Sequence, residues 1–367
     1  MHIKRLFPVA VMALSLSACV FAPGQYVSLP NPIFHGGNVP DDAPVQVIPL
    51  SAKVIALQEA DKEEVTLPEA LLSYQPSVYR IGVGDQILVT IWEHPQLTNP
   101  GGTTQNLDSA SRLVREDGTM FYPYAGNVLA AGKTVEELRT EITSKLARVL
   151  SSPQVDVSLA RTNSQRIAFS GAFVNKTPLN LTTVPVSLSE ALGRATVESE
   201  KADFSNLTLT RDGQVYVLDL DKLTQMGAPL ADVFLKPGDS IHLPYNDQKK
   251  IYLMGELRAP KSLTYRTSSI SLADAIGQGG SALQTSAKSS AVYVIRNTSA
   301  DPAIVTQASV YQLDLNDPLA LVMSDRFQLK AGDVVYIGAP GIVRWNRFIS
   351  QLFPSLGLVN TATNINN

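Results

Sequence analysis

The amino-acid sequence predicts an α+β protein of several domains, in which two tandem repeats are followed by an amphipathic C-terminal helix. The chain has 367 residues, of which 44% are hydrophobic and 17% are charged. This composition is typical of globular domains, and the length allows two or three of them. Matching blocks of sequence in the second half predict the repeats, and a change of pattern after Pro340 predicts the helix.

The charge and the cysteine content exclude several kinds of site. The 30 Lys and Arg residues and the 33 Asp and Glu residues give a net charge of -3, which does not attract nucleic-acid phosphates. The single cysteine excludes an intramolecular disulfide and a cysteine-based metal cage. The histidines are dispersed at positions 2, 35, 94 and 242. We therefore expect no cofactor, no metal, no catalytic residue and no nucleic-acid partner.

Residues 1–18 have the pattern of a lipoprotein signal peptide. A basic pair precedes an apolar run over residues 6–16, which is too short to span a bilayer as a helix. The run ends in LSAC, and Cys19 is the only cysteine of the chain. Small residues before a cysteine resemble a bacterial lipobox, which implies that Cys19 is acylated. Val20 stands where an aspartate favours retention in the inner membrane, so the resemblance implies the outer membrane. The alternative is an ordinary signal peptide with a chance cysteine.

A proline-rich leader, residues 20–75, precedes the first organised segment, and we interpret it as packing onto the body or as a tether. A helix over residues 50–60 is consistent with its pattern. Residues 79–85 read YRIGVGD and lead into the β-branched run 86–92, which predicts a glycine turn before a strand. The glycines precede the strand and no third glycine opens a helix, which argues against a dinucleotide-binding loop.

A helix is predicted to begin at Thr134, because Glu137 three residues later completes a capping box. Alternating apolar residues over 155–159 predict a strand after this helix. The predicted buried face of the helix comprises Val135, Leu138, Ile142, Leu146 and Val149.

Two copies of one pattern follow. Each copy reads as a strand, a turn, a short capped helix, further strands, a glycine turn and a last strand, which predicts a small α+β module. The matching blocks are 167–171 with 251–255, Pro178 with Pro260, 187–192 with 271–276, 215–220 with 310–315, and 235–239 with 329–333.

The polar residues of the repeats have local structural roles in this interpretation. Ser187 and Ser271, each three residues before an acid, predict helix starts. Asp239 and Asp333 follow a glycine in a tight turn, where aspartate forms local hydrogen bonds, so we assign neither a catalytic role. Other acidic residues are expected in solvated turns or surface strands: Glu116, Asp117, Asp203 and Asp212.

Residues 342–360 predict an amphipathic helix. Pro354 lies on its polar side, where it is expected to bend the helix. At about 100° per residue, the apolar side chains other than Val343 and Leu358 fall within an arc of roughly 140°. This apolar arc comprises Ile342, Trp345, Phe348, Ile349, Leu352, Phe353, Leu356 and Val359. The other side of the helix includes Arg344, Arg347, Ser350 and Gln351.

A single helix of this kind crosses a bilayer only at high cost. Its length is about 28 Å, close to the hydrocarbon thickness, but a central arginine costs about 2.5–3.5 kcal/mol. A ring of such helices removes the conflict, because the apolar faces contact lipid and the polar faces line water. A helix buried against its own domain and a helix lying in the membrane interface remain alternatives.

Together these features resemble the outer-membrane polysaccharide export proteins of the Wza type. The resemblance rests on the lipobox, residues 79–85 followed by Trp92 and His94, the block 117–126, the two repeats and the segment RWNR at 344–347. It covers nearly all of the mature chain.

The resemblance implies both a fold and a function. It implies a periplasmic body with a polysaccharide-export domain and two soluble-ligand-binding β-grasp repeats, and a homo-octameric ring whose C-terminal helices form an α-helical barrel. Carried onto this sequence, the resemblance implies that the apolar arc of residues 342–359 faces lipid. It also implies that Arg344, Arg347, Ser350 and Gln351 face the lumen. The expected function is translocation of capsular or extracellular polysaccharide across the outer membrane, without enzymatic activity. The expected partners are copies of the same chain, the polysaccharide, outer-membrane lipid and an inner-membrane polysaccharide copolymerase of the tyrosine autokinase type.

Two other functions remain open at this point. One is a non-pore periplasmic scaffold or sugar-binding adaptor of a polysaccharide secretion system, and the other is a polysaccharide-processing enzyme. The predicted domains are the signal peptide 1–18, the leader 19–75, the export domain 76–165, the repeats 166–247 and 248–340, the transmembrane helix 341–360 and the polar tail 361–367.

Replacing Cys19 with serine is expected to abolish acylation and so to release the protein from its lipid anchor, because the substitution removes the thiol that carries the lipid. Labelling of cells with a radioactive fatty acid measures the loss of acylation. Replacing Ser15, which lies before the LSAC motif, with alanine is the control. Undiminished labelling of the Cys19 variant would contradict the assignment.

Overall fold

A computed structural model of the chain describes residues 45–61, 65–98, 110–280, 292–299 and 308–338. The chain divides into two units, which we name the central unit (residues 64–246 and 266–268) and the terminal unit (residues 1–63, 247–265 and 269–367). Helices and strands are mixed in both units, which confirms the predicted mixed fold class. The C-terminal helix of the prediction lies outside the described residues.

The first part of the central unit is a small three-stranded sheet with a hairpin and a helix. The sheet order is β3-β2-β6, where β2 is Gln86–Ile91, β3 is Arg112–Leu113 and β6 is Val155–Arg161. The hairpin comprises β4 (Thr119–Tyr122) and β5 (Gly126–Leu129). The helices are α2 (Glu69–Leu72), α3 (Pro95–Thr98) and α4 (Val135–Leu146).

Helix α4 begins as its sequence predicts. The Thr134 hydroxyl accepts a hydrogen bond from the backbone N–H of Glu137 (3.2 Å), and the Glu137 carboxylate accepts one from the backbone N–H of Thr134 (2.9 Å). Leu138, Ile142 and Leu146 are buried in the core of this domain, as expected, and Val135 is partly buried. The prediction that Val149 is buried is wrong, because the helix ends at Leu146 and Val149 is exposed beyond it.

The second part of the central unit contains the first repeat, a five-stranded sheet of order β10-β9-β11-β7-β8. The central pair β7–β11 is parallel, and the other pairs are antiparallel. The strands are β7 (Arg166–Gly171), β8 (Leu179–Asn180), β9 (Leu207–Arg211), β10 (Gln214–Leu218) and β11 (Ser240–Leu243). The helices are α5 (Leu188–Ala195) and α6 (Leu220–Gln225).

The terminal unit contains the second repeat, a six-stranded sheet of order β1-β16-β15-β18-β12-β13. Five strands repeat the order of the first sheet, again with a parallel central pair, β12–β18. The strands are β12 (Lys250–Gly255), β13 (Lys261–Thr264), β15 (Val292–Asn297), β16 (Ala308–Leu313) and β18 (Val334–Ile337). The unit also contains β14 (Ile270–Ser271), β17 (Gln328–Leu329), α7 (Leu272–Gln278) and α8 (Ala320–Arg326).

The helices that follow the first turn of each repeat begin at the predicted serines. The Ser187 hydroxyl accepts a hydrogen bond from the backbone N–H of Glu190, and the Ser271 hydroxyl accepts one from that of Asp274. Each bond satisfies one of the unpaired N–H groups of a helix start. The matching topology and the matching caps confirm the internal repeat that the sequence predicts.

The sixth strand of the terminal unit comes from the leader. β1 (Val45–Pro49) runs parallel to β16, from the pair Val45 and Ala308 to the pair Pro49 and Gln312. Helix α1 (Ala52–Ala60) follows, within the range where the sequence is consistent with a helix. The Gln58 side chain donates to the carbonyl of Gln328 (2.7 Å) and accepts from its backbone N–H (2.9 Å). These bonds tie α1 to the second repeat.

A glycine ends the first strand of each repeat at a very close contact between backbones. Gly171 and Gly255 have φ angles of +87° and +88°. A Cβ on either residue would lie 2.0 Å from a carbonyl oxygen of the neighbouring parallel strand, that of Leu243 or of Ile337. The residue after each glycine donates its N–H to that same oxygen, at 2.7 and 2.8 Å. Only glycine fits a positive φ at this distance.

Replacing Gly171 with alanine is expected to destabilise the first repeat by about 3 kcal/mol, because the new Cβ requires the parallel pair β7–β11 to separate and strains the backbone. The matched control is Gly193→Ala in α5, where no atom lies within 4 Å of the added Cβ. This control is expected to stabilise the helix by up to about 1 kcal/mol. Urea unfolding of the purified full-length protein measures both; equal midpoints for the two variants would contradict the argument.

Candidate functional site

The functional residues that the sequence analysis names lie outside the described part of the chain. These are Cys19 and the lipid-facing and lumen-facing residues of segment 342–359. Their roles stay predictions. Among the described residues, no helix combines the length and the hydropathy that a membrane crossing requires. Within the same ranges, no group of three or more His, Cys, Asp or Glu side chains is arranged to hold a metal ion.

A four-residue turn that ends in aspartate occurs three times in the described structure, at residues 82–85, 236–239 and 330–333. The third residue is a glycine with a φ angle of +89°, +90° or +88°. In each turn the aspartate N–H donates to the carbonyl of the first residue, at 3.0–3.2 Å. The carboxylate accepts the N–H of that first residue, at 2.8–2.9 Å. Positive φ at the third position is the geometry of a type II turn, which explains the glycine.

In both repeats the turn aspartate is buried and paired with an arginine. Arg211 contacts Asp239 through Nη2 (2.7 Å) and Nε (3.1 Å), and Arg296 contacts Asp333 through Nη2 (2.6 Å) and Nε (3.0 Å). All four residues are buried or nearly so. Two-point, charge-assisted hydrogen bonds of this kind are stronger than hydrogen bonds between neutral groups. We name the two pairs the Arg–Asp clamps.

Each arginine of the clamps has further contacts besides its aspartate. Its Nη2 also donates to a backbone carbonyl, that of Phe234 (2.7 Å) in the first repeat and that of Gln328 (3.0 Å) in the second. The guanidinium of Arg296 lies 5.5 Å from the ring centres of Tyr311 and Phe327. Burial acts to lower the pKa of Arg296, but the hydrogen bond to Asp333 and the attraction to that carboxylate and to nearby tyrosines together raise that pKa above its usual value. Arg296 therefore remains positively charged opposite Asp333.

The structural role that we expect for Asp239 and Asp333 thus includes a partner that the sequence analysis missed. Arg211 lies 28 residues before its aspartate, and Arg296 lies 37 residues before its own. The available signal was the alternation on β9, where Leu207 and Leu209 face the core and Arg211 continues the same face. An arginine at a core position of a strand indicates a buried acidic partner.

The corresponding turn of the first domain holds its carboxylate with neutral donors. Asp85 accepts hydrogen bonds from the backbone N–H groups of Gly82 (2.9 Å), Asn163 (2.8 Å) and Ser164 (2.8 Å). The hydroxyls of Tyr79 (2.8 Å) and Ser164 (2.9 Å) donate to the same carboxylate. Burial raises the pKa of Tyr79. This network joins the strand that follows the turn to the segment that enters the first repeat.

The expectation that the other acidic residues are solvated is correct for Asp117 and Asp212 but wrong for Asp203. Asp203 is buried and accepts hydrogen bonds from the N–H (3.0 Å) and hydroxyl (2.7 Å) of Ser205 and from the amide of Asn206 (2.7 Å). These local donors replace the water that an exposed carboxylate would bind. Asp117 is exposed, and a hydrogen bond from the backbone N–H of Thr119 lowers its pKa.

A histidine and a serine lie side by side on an open sheet surface of the first repeat. Among the described residues, His242 Nδ1 lies 2.9 Å from the hydroxyl of Ser170, on the neighbouring strand. Both residues belong to the solvent-facing side of the five-stranded sheet, and the pair is exposed. Nucleophilic catalysis by serine depends on an enclosed site with donors for the developing oxyanion. A flat, solvent-exposed sheet surface does not provide such an environment, so we assign the pair of Ser170 and His242 no catalytic role.

The described structure therefore defines a class of protein: one small α+β domain followed by two copies of a single sheet-and-helix module. Residues 73–160 match the family described as polysaccharide biosynthesis/export protein. Residues 165–243 and 249–337 each match the SLBB domain. Residues 339–367 match the C-terminal domain of the outer-membrane lipoprotein Wza.

Several known proteins are similar along most of their length. The chain is 33% identical to the EPS I polysaccharide export outer membrane protein EpsA of Ralstonia nicotianae, over 94% of each chain. It is 26% identical to the capsule polysaccharide export protein BexD of Haemophilus influenzae, over 97% of this chain and 96% of that protein. It is 24% identical to the capsule polysaccharide export outer membrane protein CtrA of Neisseria meningitidis, over 78% and 79%. The chain belongs to the Wza-type family of polysaccharide export proteins, which is not a family of enzymes.

Replacing Asp239 with asparagine is expected to destabilise the central unit by about 3–5 kcal/mol, because it leaves the charge of Arg211 buried without its partner. The matched control is Asp212→Asn, which breaks the exposed pair with Lys236 and is expected to cost less than about 1 kcal/mol. Urea unfolding, followed by far-ultraviolet circular dichroism, measures the difference. A similar small shift for both variants would show that the Arg–Asp clamp does not contribute as argued.

Proposed function

We propose that this protein exports a polysaccharide across the outer membrane through a hydrated channel formed by several copies of the chain. The observation that carries the proposal is the similarity along nearly the whole chain to proteins named as polysaccharide export outer membrane proteins. The order of the matching domains supports it, because the export domain, both SLBB domains and the C-terminal domain follow one another in this chain. The domain boundaries predicted from the sequence are part of the proposal.

The channel wall in this proposal is a ring of the amphipathic segments 342–359. The apolar face contacts lipid, and Leu352 and Phe353 lie near the middle of the length of the segment. The aromatic ring of Trp345 lies towards the membrane interface. Arg344, Arg347, Ser350 and Gln351 face the water of the passage. In a ring, each apolar face contacts lipid and each polar face contacts water. Each backbone hydrogen bond remains inside its own helix.

The mechanism in this proposal is passive passage of a hydrated polymer. A chain of sugars moves steadily only if the wall binds it weakly, since tight sites would hold it in place. Uncharged polar side chains such as Ser350 and Gln351 offer exchangeable hydrogen bonds of this kind. Direction comes from synthesis of the polymer and from the inner-membrane polysaccharide copolymerase of the tyrosine autokinase type that the resemblance implies.

The proposal also includes the anchor and the assembly. Acylation of Cys19 places the amino terminus in the outer membrane, and each buried methylene of the acyl chains contributes about 0.8 kcal/mol. The periplasm contains the α+β body. The family resemblance implies eight copies, and a closed ring requires that each copy presents two different surfaces to its two neighbours.

A paired substitution tests the membrane ring. Leu352→Asp together with Phe353→Asp is expected to abolish the membrane-embedded oligomer and polymer secretion, because two carboxylates on the lipid-facing side are costly in hydrocarbon. The matched control is Ser350→Asp together with Gln351→Asp, which places the same two charges on the lumen-facing side. We expect this control to assemble and to remain in the outer membrane.

Membrane fractionation, particle images of detergent-extracted protein and the amount of cell-surface polysaccharide are the measurements. If the lipid-face variant assembles and secretes like the wild type, the pore is contradicted and a periplasmic scaffold or sugar-binding adaptor replaces it. If both variants fail equally, the assignment of the two faces is contradicted.

A further inference from the structure

The free edge of the first repeat carries an exposed apolar strand. β10 lies at one end of the sheet of the central unit and pairs with β9 alone among the described strands. Its sequence is QVYVL, without charge or proline. Val215 and Val217 are 52% and 62% exposed. An edge strand of this kind presents unpaired N–H and C=O groups together with apolar side chains, which is a template for pairing with another strand.

The second repeat shows what the equivalent strand binds. β16 corresponds to β10 through the matched blocks 215–220 and 310–315. It is not an edge, because β1 runs parallel to it over five residue pairs. Val310, the counterpart of Val215, is 0% exposed. One chain therefore contains the same strand in two states, one with a strand added and one without.

The other edges of these two sheets are protected in ways that β10 is not. β1 ends in Pro49, which has no N–H to donate. β13 follows Pro260 and begins with the exposed Lys261. β8 has only two residues, Leu179 and Asn180. Proline, lysine and short length are the usual devices that prevent pairing between sheet edges. Because β10 has none of them, its open edge is consistent with an interface.

We propose that β10 is a contact between subunits, at which a second copy of this chain adds backbone hydrogen bonds and covers Val215 and Val217. The inference rests on the proposed function, since a channel of several copies requires such contacts. A second copy fits better than the polymer, because β10 is apolar and uncharged whereas a sugar chain presents hydroxyl groups. The cis pair β1–β16 shows that segments of this sequence complete an edge of this type. In a closed ring the neighbour contributes a surface other than its own β10.

Lysine substitutions test the contact. Val215→Lys together with Val217→Lys leaves the fold of the copy intact, because both side chains are more than half exposed, but puts two charges into the proposed interface. We expect the oligomeric fraction of the detergent-extracted full-length protein to fall at least tenfold in native mass spectrometry. The matched control is Val174→Lys together with Val184→Lys, at valines of the same unit that are 65% and 67% exposed. The control is expected to retain the oligomer, and circular dichroism checks that both variants are folded.

Photo-crosslinking tests the same contact without disrupting the oligomer. A photo-crosslinking amino acid at position 217 is expected to give a product with the mass of two chains, and the same amino acid at position 184 is expected to give none. A wild-type oligomer that survives both lysines, or a crosslink at 217 to a different protein, would overturn this inference alone. A wild-type protein that is itself monomeric after extraction would overturn the proposed channel as well. The two failures are therefore distinguishable.

Discussion

The constraint on which the two repeats depend is the burial of a carboxylate at the turn before the last strand. A buried charge is costly unless it is paired and hydrogen-bonded, and Asp239 and Asp333 meet this condition through an arginine and a backbone N–H. Each arginine comes from the strand next to the last one and also binds a carbonyl before the turn. The Arg–Asp clamp thus fixes where the last strand enters the sheet, between its antiparallel and its parallel neighbour. The first domain solves the same problem at Asp85 with neutral donors instead.

The two repeats share one fold but differ at one edge of the sheet. In the terminal unit, β1 from the leader extends the sheet and the valine at position 310 is buried. In the central unit, the matching strand β10 remains an edge with exposed valines. Two copies of one fold therefore expose different surfaces at this edge. In the channel that we propose, assembly and passage require surfaces of both kinds, because some faces contact other copies and others contact water.

The predictions that succeeded concern features encoded within a few residues. Thr134, Ser187 and Ser271 cap their helices as their spacing to an acid three residues later predicts. Two errors arose because the residue type alone does not show whether a carboxylate is buried or where a helix ends, and another arose because the partners are distant in sequence. Asp203 is buried because Ser205 and Asn206 fold back onto it, and Val149 is exposed because the helix ends before its apolar pattern does. The partners of Asp239 and Asp333 were missed because the arginines lie tens of residues away along the chain.

The sequence by itself determined the repeat, its helix starts, its glycine turns and the resemblance to a family, because each of these is a short pattern of residue types in a fixed order. The tertiary structure decided which strand completes which sheet, which charges pair and where two backbones touch. Residues 45–49 pair with residues 308–312, which lie more than 250 positions later in the chain, and no local sequence pattern specifies this pairing. Gly171 and Gly255 are required by the carbonyl oxygens of strands far along the chain, which only the folded sheet brings to that distance. Local preferences are set by neighbours in sequence, whereas register, pairing and close approach are set by neighbours in space.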